Sequence, residues 1–290
     1  MSGWHRGERA VQARAAEMGR ADHTFRSVRS SIPDVAAAFL ADQPVLVVGA
    51  TDDTGRMWCS LLSGRPGFAR AVDERTVLID ALPGPRDPLV TTLGVAPTQI
   101  GTIAVDPMRG RRMRVNGLAV PDGGRLRVDA EQVFSNCPRR IHRRELRPGQ
   151  ARGYTVRTAT SGHELSEHQQ RLVSVADTFF IATAAEDGTA DASHRGGDPG
   201  FLEVISPTRL RWPDYPGNSM FMTLGNLEVN DAAGLLIPDW ETGATLRVSG
   251  SARVDWDEDH AARYPGAARL VDFTINDVIE ISGTPHAVEP

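Results

Sequence analysis

The sequence predicts a mainly β protein with peripheral helices, built as two tandem copies of one barrel unit. Three observations carry that prediction. Short β-rich runs alternate with Gly-bearing turns, the rhythm of antiparallel barrels and sandwiches. The same turn residues return 133 positions further along the chain. At 290 residues there is room for two hydrophobic cores of ordinary size.

The repeat is ungapped over long stretches. Gly55 matches Gly188, Ser60 matches Ser193, Gly64 matches Gly197, and Pro66-Gly67-Phe68 matches Pro199-Gly200-Phe201. After a shift of two, Leu93-Gly94 meets Leu224-Gly225. The original offset then resumes: Gly101 with Gly234, Asp106 with Asp239, Gly110 with Gly243, Arg114 with Arg247, Gly117 with Gly250. Most of these are turn residues whose backbone favours Gly or Pro, so both halves share one strand-and-turn plan. Two copies at so long a period make a tandem duplication rather than a solenoid.

In chain order, 8–18 is rich in Ala, Arg and Glu and reads as a helix, and Ser31-Ile-Pro-Asp34 opens a second that ends near Leu40. Residues 44–51 (PVLVVGAT) and 56–62 form a hairpin across Asp52-Asp-Thr-Gly55. Strands follow at 76–80, 101–105, 111–120 and 125–129. A polar stretch reads as a linker, 166–175 as a helix, and 178–184 restarts the strand series. A helix over 258–270 and a strand over 271–281 close the chain. The expected division is an N-terminal helical segment (1–43), a first barrel (44–149), a linker (150–165) and a second barrel (166–290).

Composition narrows the function. No apolar run approaches the ~20 residues of a membrane span, so no membrane role is expected. The mixed-charge N-terminus is neither a signal nor a transit peptide, which predicts a cytoplasmic protein. Cys59 and Cys137 lie far apart without metal-ligand spacing, so free buried thiols and no metal site are expected. A net charge of −5 argues against a nucleic-acid binder. The exception is 139–147 (RRIHRRELR), readable as a solvated or inter-domain face or as a phosphate-contacting patch. The chain contains no lysine. That excludes Schiff-base chemistry and a phosphate-loop lysine, and leaves anions to Arg, hydroxyls and backbone N–H groups.

The differences between the copies point to a site. The second copy has Asp214, Tyr215, Pro216, Gly217, Asn218, Ser219 and Met220 where the first has Ala81-Leu-Pro-Gly-Pro-Arg-Asp-Pro88. The second version runs into a helix, so its turn should present free N–H groups to an anion. The prolines of the first version remove donors. Likewise Ser193, His194, Arg195 and Gly196 replace Ser60-Leu-Leu-Ser63, which lets the backbone approach a flat ring while Arg195 reaches a phosphate. His194 has the pKa range of an acid or base and is the candidate catalytic residue.

Taken together, SHRGG-PGF, PDY-GN-MF-TLGN and GLL--D-ETG--LRVSG resemble the flavin-binding split barrels related to pyridoxamine 5'-phosphate oxidase. The N-terminal WHRGERAVQARA and the mid-chain LLSGRPGF and FSNCP resemble the larger, two-barrel members. The resemblance implies two tandem split β-barrels and noncovalent FMN near an interface between barrels. It implies the FMN phosphate near Asn218 and Ser219 and the ring near 193–197. Pseudo-symmetry suggests Trp58, Arg112 and Asn116 as first-copy residues covering the ring. The site would form within one chain as a pseudo-dimer or in a homodimer.

The expected function is an FMN-dependent oxidoreductase acting on a small molecule, with NADH or NADPH as candidate electron donor. The alternative is a non-catalytic flavin- or haem-binding sensor with the same fold. Resemblance to pyridoxamine 5'-phosphate oxidase does not assign that enzyme's substrate, because a shared fold does not set chemistry.

Overall fold

A computed structural model describes residues 3–135, 139–144 and 155–284. The chain begins with helices α1 (Arg6–Arg14) and α2 (Met18–Phe25). The first copy then runs α3 (Asp34–Asp42), β1 (Val45–Thr51), β2 (Met57–Ser63), β3 (Ala69–Ala71), β4 (Thr76–Ile79), α4 (Val90–Val95), β5 (Thr98–Asp106), β6 (Arg111–Asp122) and β7 (Arg125–Ser135). Next comes β8 (Thr155–Gly162). The second copy runs α5 (Glu167–Val175), β9 (Thr178–Ala184), β10 (Ala190–Gly196), β11 (Glu203–Ser206), β12 (Arg209–Asp214), α6 (Met222–Val229), β13 (Ala232–Pro238), β14 (Thr245–Asp255), α7 (Glu258–Ala261) and β15 (Arg269–Thr284).

Two sheets result with one topology. Their strand orders are β2-β1-β5-β6-β7-β4-β3 and β10-β9-β13-β14-β15-β12-β11, all neighbours antiparallel. The protein is therefore mainly β and internally duplicated, as the repeat predicts. The copies agree even in their irregularities. A β-bulge falls between Asn116 and Gly117 in one and between Ser249 and Gly250 in the other. A Cβ on Gly117 would lie 2.0 Å from the Asp129 carbonyl oxygen, and one on Gly250 would lie 2.0 Å from that of Thr274. Only glycine permits that closeness.

Three features differ from expectation. The repeat starts before the first strand: α3 and α5 sit at the same offset of 133 residues, so α3 is part of the first copy and not of a separate N-terminal segment. The stretch read as a linker holds β8, which pairs with the long β15 as an extra strand. Its polar composition hid it, because a strand at a sheet edge needs no apolar alternation to complete its ladder. The helix expected over 258–270 ends at Ala261, before Tyr264-Pro265-Gly266, where Gly266 takes a φ of +78°. No helix among the described residues is long and apolar enough to cross a membrane.

Each barrel has its own core, with Trp58, Phe68 and Ile100 in the first and Phe179, Trp212 and Phe273 in the second. A third apolar cluster takes residues from both, including Val47, Met57, Cys59 and Ile103 from one and Phe180, Ala182, Ala192 and Leu236 from the other. That cluster is the seam between the barrels. Cys59 is a buried thiol whose pKa burial pushes up, so it is inert. Cys137 lies outside the described residues.

The seam obeys the repeat. A Cβ on Gly101 would sit 2.4 Å from the Asp191 backbone, and one on its counterpart Gly234 would sit 2.6 Å from the backbone of Met57 and Trp58. Asp191 and Trp58 are themselves counterparts. Gly49 would meet the Cβ of Ala182, its own counterpart, at 2.4 Å. A residue touching its own copy marks the local two-fold axis, so the barrels pair as the halves of a symmetric dimer do.

Candidate functional site

A cleft opens where the seam meets the start of α6. Its floor is β10, with Ser193, His194, Arg195 and Gly196, and its far wall is the turn from Asp214 to Phe221. The second-copy residues singled out from the sequence line it: Ser193 to Gly196 on the strand, and Asp214 to Met220 on the turn. The first barrel contributes Arg112 and Arg114 from β6, and the segment after β7 contributes Arg139 and Arg140. With Arg195, five arginines face one cavity, whose enclosed part measures about 130 Å³.

Ser219 and Phe221, neither a glycine, adopt φ of +64° and +58°. Such conformations cost about 1–3 kcal/mol each and concentrate where ligands are gripped. Asn218 Oδ1 accepts the Met220 N–H at 3.1 Å, and no side chain caps α6. The first-turn residues Met222, Thr223 and Leu224 line the cleft, which therefore lies at the positive end of the helix dipole with uncapped N–H groups beside it. The helix starts at Met222, because Phe221 takes the left-handed conformation. The Ser219 hydroxyl donates to the Glu17 carboxylate, and Gln12 donates to the Met220 carbonyl at 3.1 Å. The N-terminal helices thus hold the back of the turn.

Charge is balanced unevenly. Asp191, on β10, is bound by Arg114 at 2.8 and 2.9 Å, by Asn116 at 3.2 Å and by Ser193 at 3.3 Å. Arg114 comes from the first barrel, so this buried pair ties the barrels together beside the cleft. Removing one partner of such a pair typically costs about 3–5 kcal/mol. Asp214 is shared between Arg195 at 3.2 Å and Arg269 at 3.4 Å. The Nε atoms of Arg114 and Arg195 are buried without a hydrogen-bond partner among the described residues. Buried donors of that kind favour an anion.

His194 is buried, its ring edge-on to Phe180. Burial, then the charges of Arg112 and Arg195, hold its pKa well below the usual value, so it is neutral at physiological pH. Its Nδ1 lies 3.0 Å from an Arg112 amino nitrogen. Arginine only donates, so Nδ1 accepts and the ring proton sits on Nε2. His194 is thereby a fixed hydrogen-bond donor, poorly placed to take up a proton.

Several contacts lay beyond sequence reading. Gly196, read as clearance for a ring, makes room for protein instead, and Gly197 serves the barrel as its counterpart Gly64 does. A Cβ on Gly196 would lie 2.1 Å from the Arg140 carbonyl oxygen, and one on Gly197 would strike Phe201, as one on Gly64 would strike Phe68. The arginine run at 139–144 is an inter-barrel strap. Arg140 stacks on Tyr215 at 3.2 Å, His142 bonds the Gly197 carbonyl at 2.9 Å, and Arg144 pairs with Asp177. Arg112 reaches the cleft, whereas Trp58 is buried in the first core with its indole on Asp52, and Asn116 is spent on Asp191. Arg114 and Asp191 were missed. Arg114 and Arg247 do match in the repeat, and a charged residue recurring among turn glycines has no turn to make; that was the available signal.

The residues present fit a phosphorylated flavin: an uncapped helix start, arginine forks and unspent buried donors at one end of a cleft. Among the described residues no group of side chains could hold a metal ion.

Residues 165–282 match the family model of pyridoxamine 5'-phosphate oxidase. No curated protein matches the chain. Among solved structures, similarity extends to a FAD-binding protein of Mesorhizobium loti (15% identity, 43% of this chain and 99% of that one, TM-score 0.30). It extends also to HutZ, a haem storage protein of Vibrio cholerae (12%, 42% and 96%, TM-score 0.30). A third is a protein of Clostridium acetobutylicum related to general stress protein 26, of the pyridoxinephosphate oxidase family (13%, 40% and 81%, TM-score 0.25). The residues matched to that family model lie in the second barrel, which also supplies most of the cleft lining.

Proposed function

We propose that the chain is an FMN-dependent oxidoreductase, with the flavin held in the cleft mainly by the second barrel. The observation that carries this reading is the convergence of the uncapped α6 start with arginines whose buried Nε donors are unspent. The phosphate would be held by the first-turn N–H groups of α6, the Asn218 side chain and Arg195. The enclosed 130 Å³ is small beside the roughly 300–1,000 Å³ of sites that swallow a whole ligand. It suits a phosphate and its chain, with the ring lying along the mouth beside β10 and the strap.

Bound flavin supplies hydride or electron chemistry, and the protein supplies position and electrostatics. In this reading Arg112 and the His194 Nε2 proton offer donors to a developing negative charge at the ring edge. Arg140, stacked on Tyr215, lines the cleft. A haem-binding role is less well supported, because the imidazole nitrogen a metal would need is either protonated or already bonded to Arg112.

The test is the visible spectrum of the purified, desalted protein. Retained flavin bands, and reduction of that flavin by NADH or NADPH in stopped flow, are the expected result. Losing a charge-assisted hydrogen bond costs about 1.5–3 kcal/mol. Arg195→Ala and Asn218→Ala should therefore weaken FMN binding by roughly ten- to a hundredfold. Arg86→Ala, exposed in the first copy, should leave it unchanged. A Soret band, or a colourless protein that ignores added FMN, overturns the reading.

A further inference from the structure

Local two-fold symmetry relates the cleft to a second place in the fold, built from β2, the turn before α4, and β14. The counterparts of Arg114, Ser193 and Thr223 there are Arg247, Ser60 and Thr92. The counterpart of Asn218, at the two-residue shift that aligns Leu93 with Leu224, is Asp87.

Asp87 has turned inward. Its carboxylate accepts from Ser60 Oγ at 2.6 Å and from the Leu89 N–H at 3.0 Å, and pairs with Arg247 at 3.0 Å. All three side chains are buried: Ser60 is 0%, Asp87 4% and Arg247 5% exposed. A hydroxyl, a backbone N–H and a guanidinium around two oxygens form an oxyanion site. Here the oxyanion belongs to the chain itself.

Two details show a displaced arrangement rather than an ordinary ion pair. In the open copy Ser193 and Thr223 bond each other through their hydroxyls at 2.8 Å. In the closed copy Ser60 is drawn to Asp87, and the Thr92 hydroxyl is buried without a partner among the described residues. Secondly, Arg114 is neutralised from β10 by Asp191, whereas the corresponding position on β2 is Trp58, which offers no charge. Without Asp87, Arg247 would be a buried cation held only by the Thr245 hydroxyl at 2.7 Å, with an unspent Nε.

We propose that the first copy retains an oxyanion site that Asp87 keeps closed with its own carboxylate, so that the chain offers one ligand site where its symmetry allows two. The ligand class the closed site would accept is a phosphate or phosphate monoester. The flavin count rests on the function proposed above; the phosphate chemistry does not.

The experiment compares thermal unfolding in chloride and in inorganic phosphate at equal ionic strength. Wild type gains a modest Tm increment from the open cleft. Asp87→Ala should start from a lower Tm and gain at least about twice that increment, since a ligand binding only the folded state stabilises it by mass action. Adding Arg247→Met to Asp87→Ala should return the increment to the wild-type value. Equal increments in wild type and Asp87→Ala overturn the proposal. Should Asp87→Ala not fold in chloride, refolding is tried in phosphate, alongside the near-isosteric Asp87→Asn. Rescue by phosphate supports the proposal, and failure of both variants in both buffers overturns it. Flavin retention by the same proteins is read separately, so a colourless protein with phosphate rescue would sink only the proposed function.

Discussion

Glu8 shows how one residue can carry information about an entire contact. It lies in the first turn of α1, accepts the His5 N–H at 2.9 Å in a capping box, and is 5% exposed. Burial, opposed by that hydrogen bond, raises its pKa to about 8. The folded protein therefore keeps a proton that the unfolded chain has lost above about pH 4.5. With the unfolded state binding fewer protons, stability falls as pH rises from there through about 8. Each pH unit between the folded and unfolded pKa values is worth about 1.4 kcal/mol, so the effect is on the order of a few kcal/mol. The Tm of wild type should decline between pH 5.5 and 8.5 while that of Glu8→Gln stays flatter; parallel curves would contradict the assignment. None of this was readable in the sequence, where Glu8 looks like one more charge on an exposed helix. Its burial is imposed by a partner more than two hundred residues away.

At the scale of elements that partner is α6. The two helices approach through glycines: a Cβ on Gly7 would lie 2.1 Å from the Gly225 carbonyl oxygen, and one on Gly225 would lie 2.5 Å from the Glu8 side chain. The repeat equates Gly225 with Gly94, and the sequence reads both as fold. The structure separates them, since nothing lies within 4 Å of a Cβ on Gly94 in α4. Gly94→Ala should be neutral or stabilising by about 0.4–1 kcal/mol, as an unhindered Gly→Ala in a helix is. Gly225→Ala must push α1 away, costing about 1–3 kcal/mol by overpacking. It should also lower ligand retention, because α1 and α2 hold the turn at Ser219 and Met220 from behind. Denaturant melts and desalting of the two variants check the contrast.

For the whole molecule the decisive feature is the seam. The barrels reach into one another, the first lending Arg112 and Arg114 to the cleft of the second and the second pairing its Arg247 with Asp87 of the first. Gly101→Ala places a methyl 2.4 Å from the Asp191 backbone, which cannot yield without separating the barrels. A destabilisation of about 1–3 kcal/mol is expected. It should be accompanied by weaker ligand binding although Gly101 touches no part of the cleft. Loss of stability with full binding would show that the barrels need not pair to make the site.

The sequence by itself determined the duplicated strand-and-turn plan and marked the two stretches where the copies differ. Turns need Gly and Pro at set places whatever surrounds them, so the repeat survives as literal identity. The candidate site was legible for the same reason: 193–196 and 214–220 stand out against a copy that lacks them. Tertiary structure alone decided what completes that site. The arginines of β6, the strap at 139–144, the docking of α1 on α6 and the inward turn of Asp87 all depend on contacts across the seam or between distant segments. Such contacts are set by packing and by buried charge seeking its opposite. Neither leaves a period or a spacing in the chain.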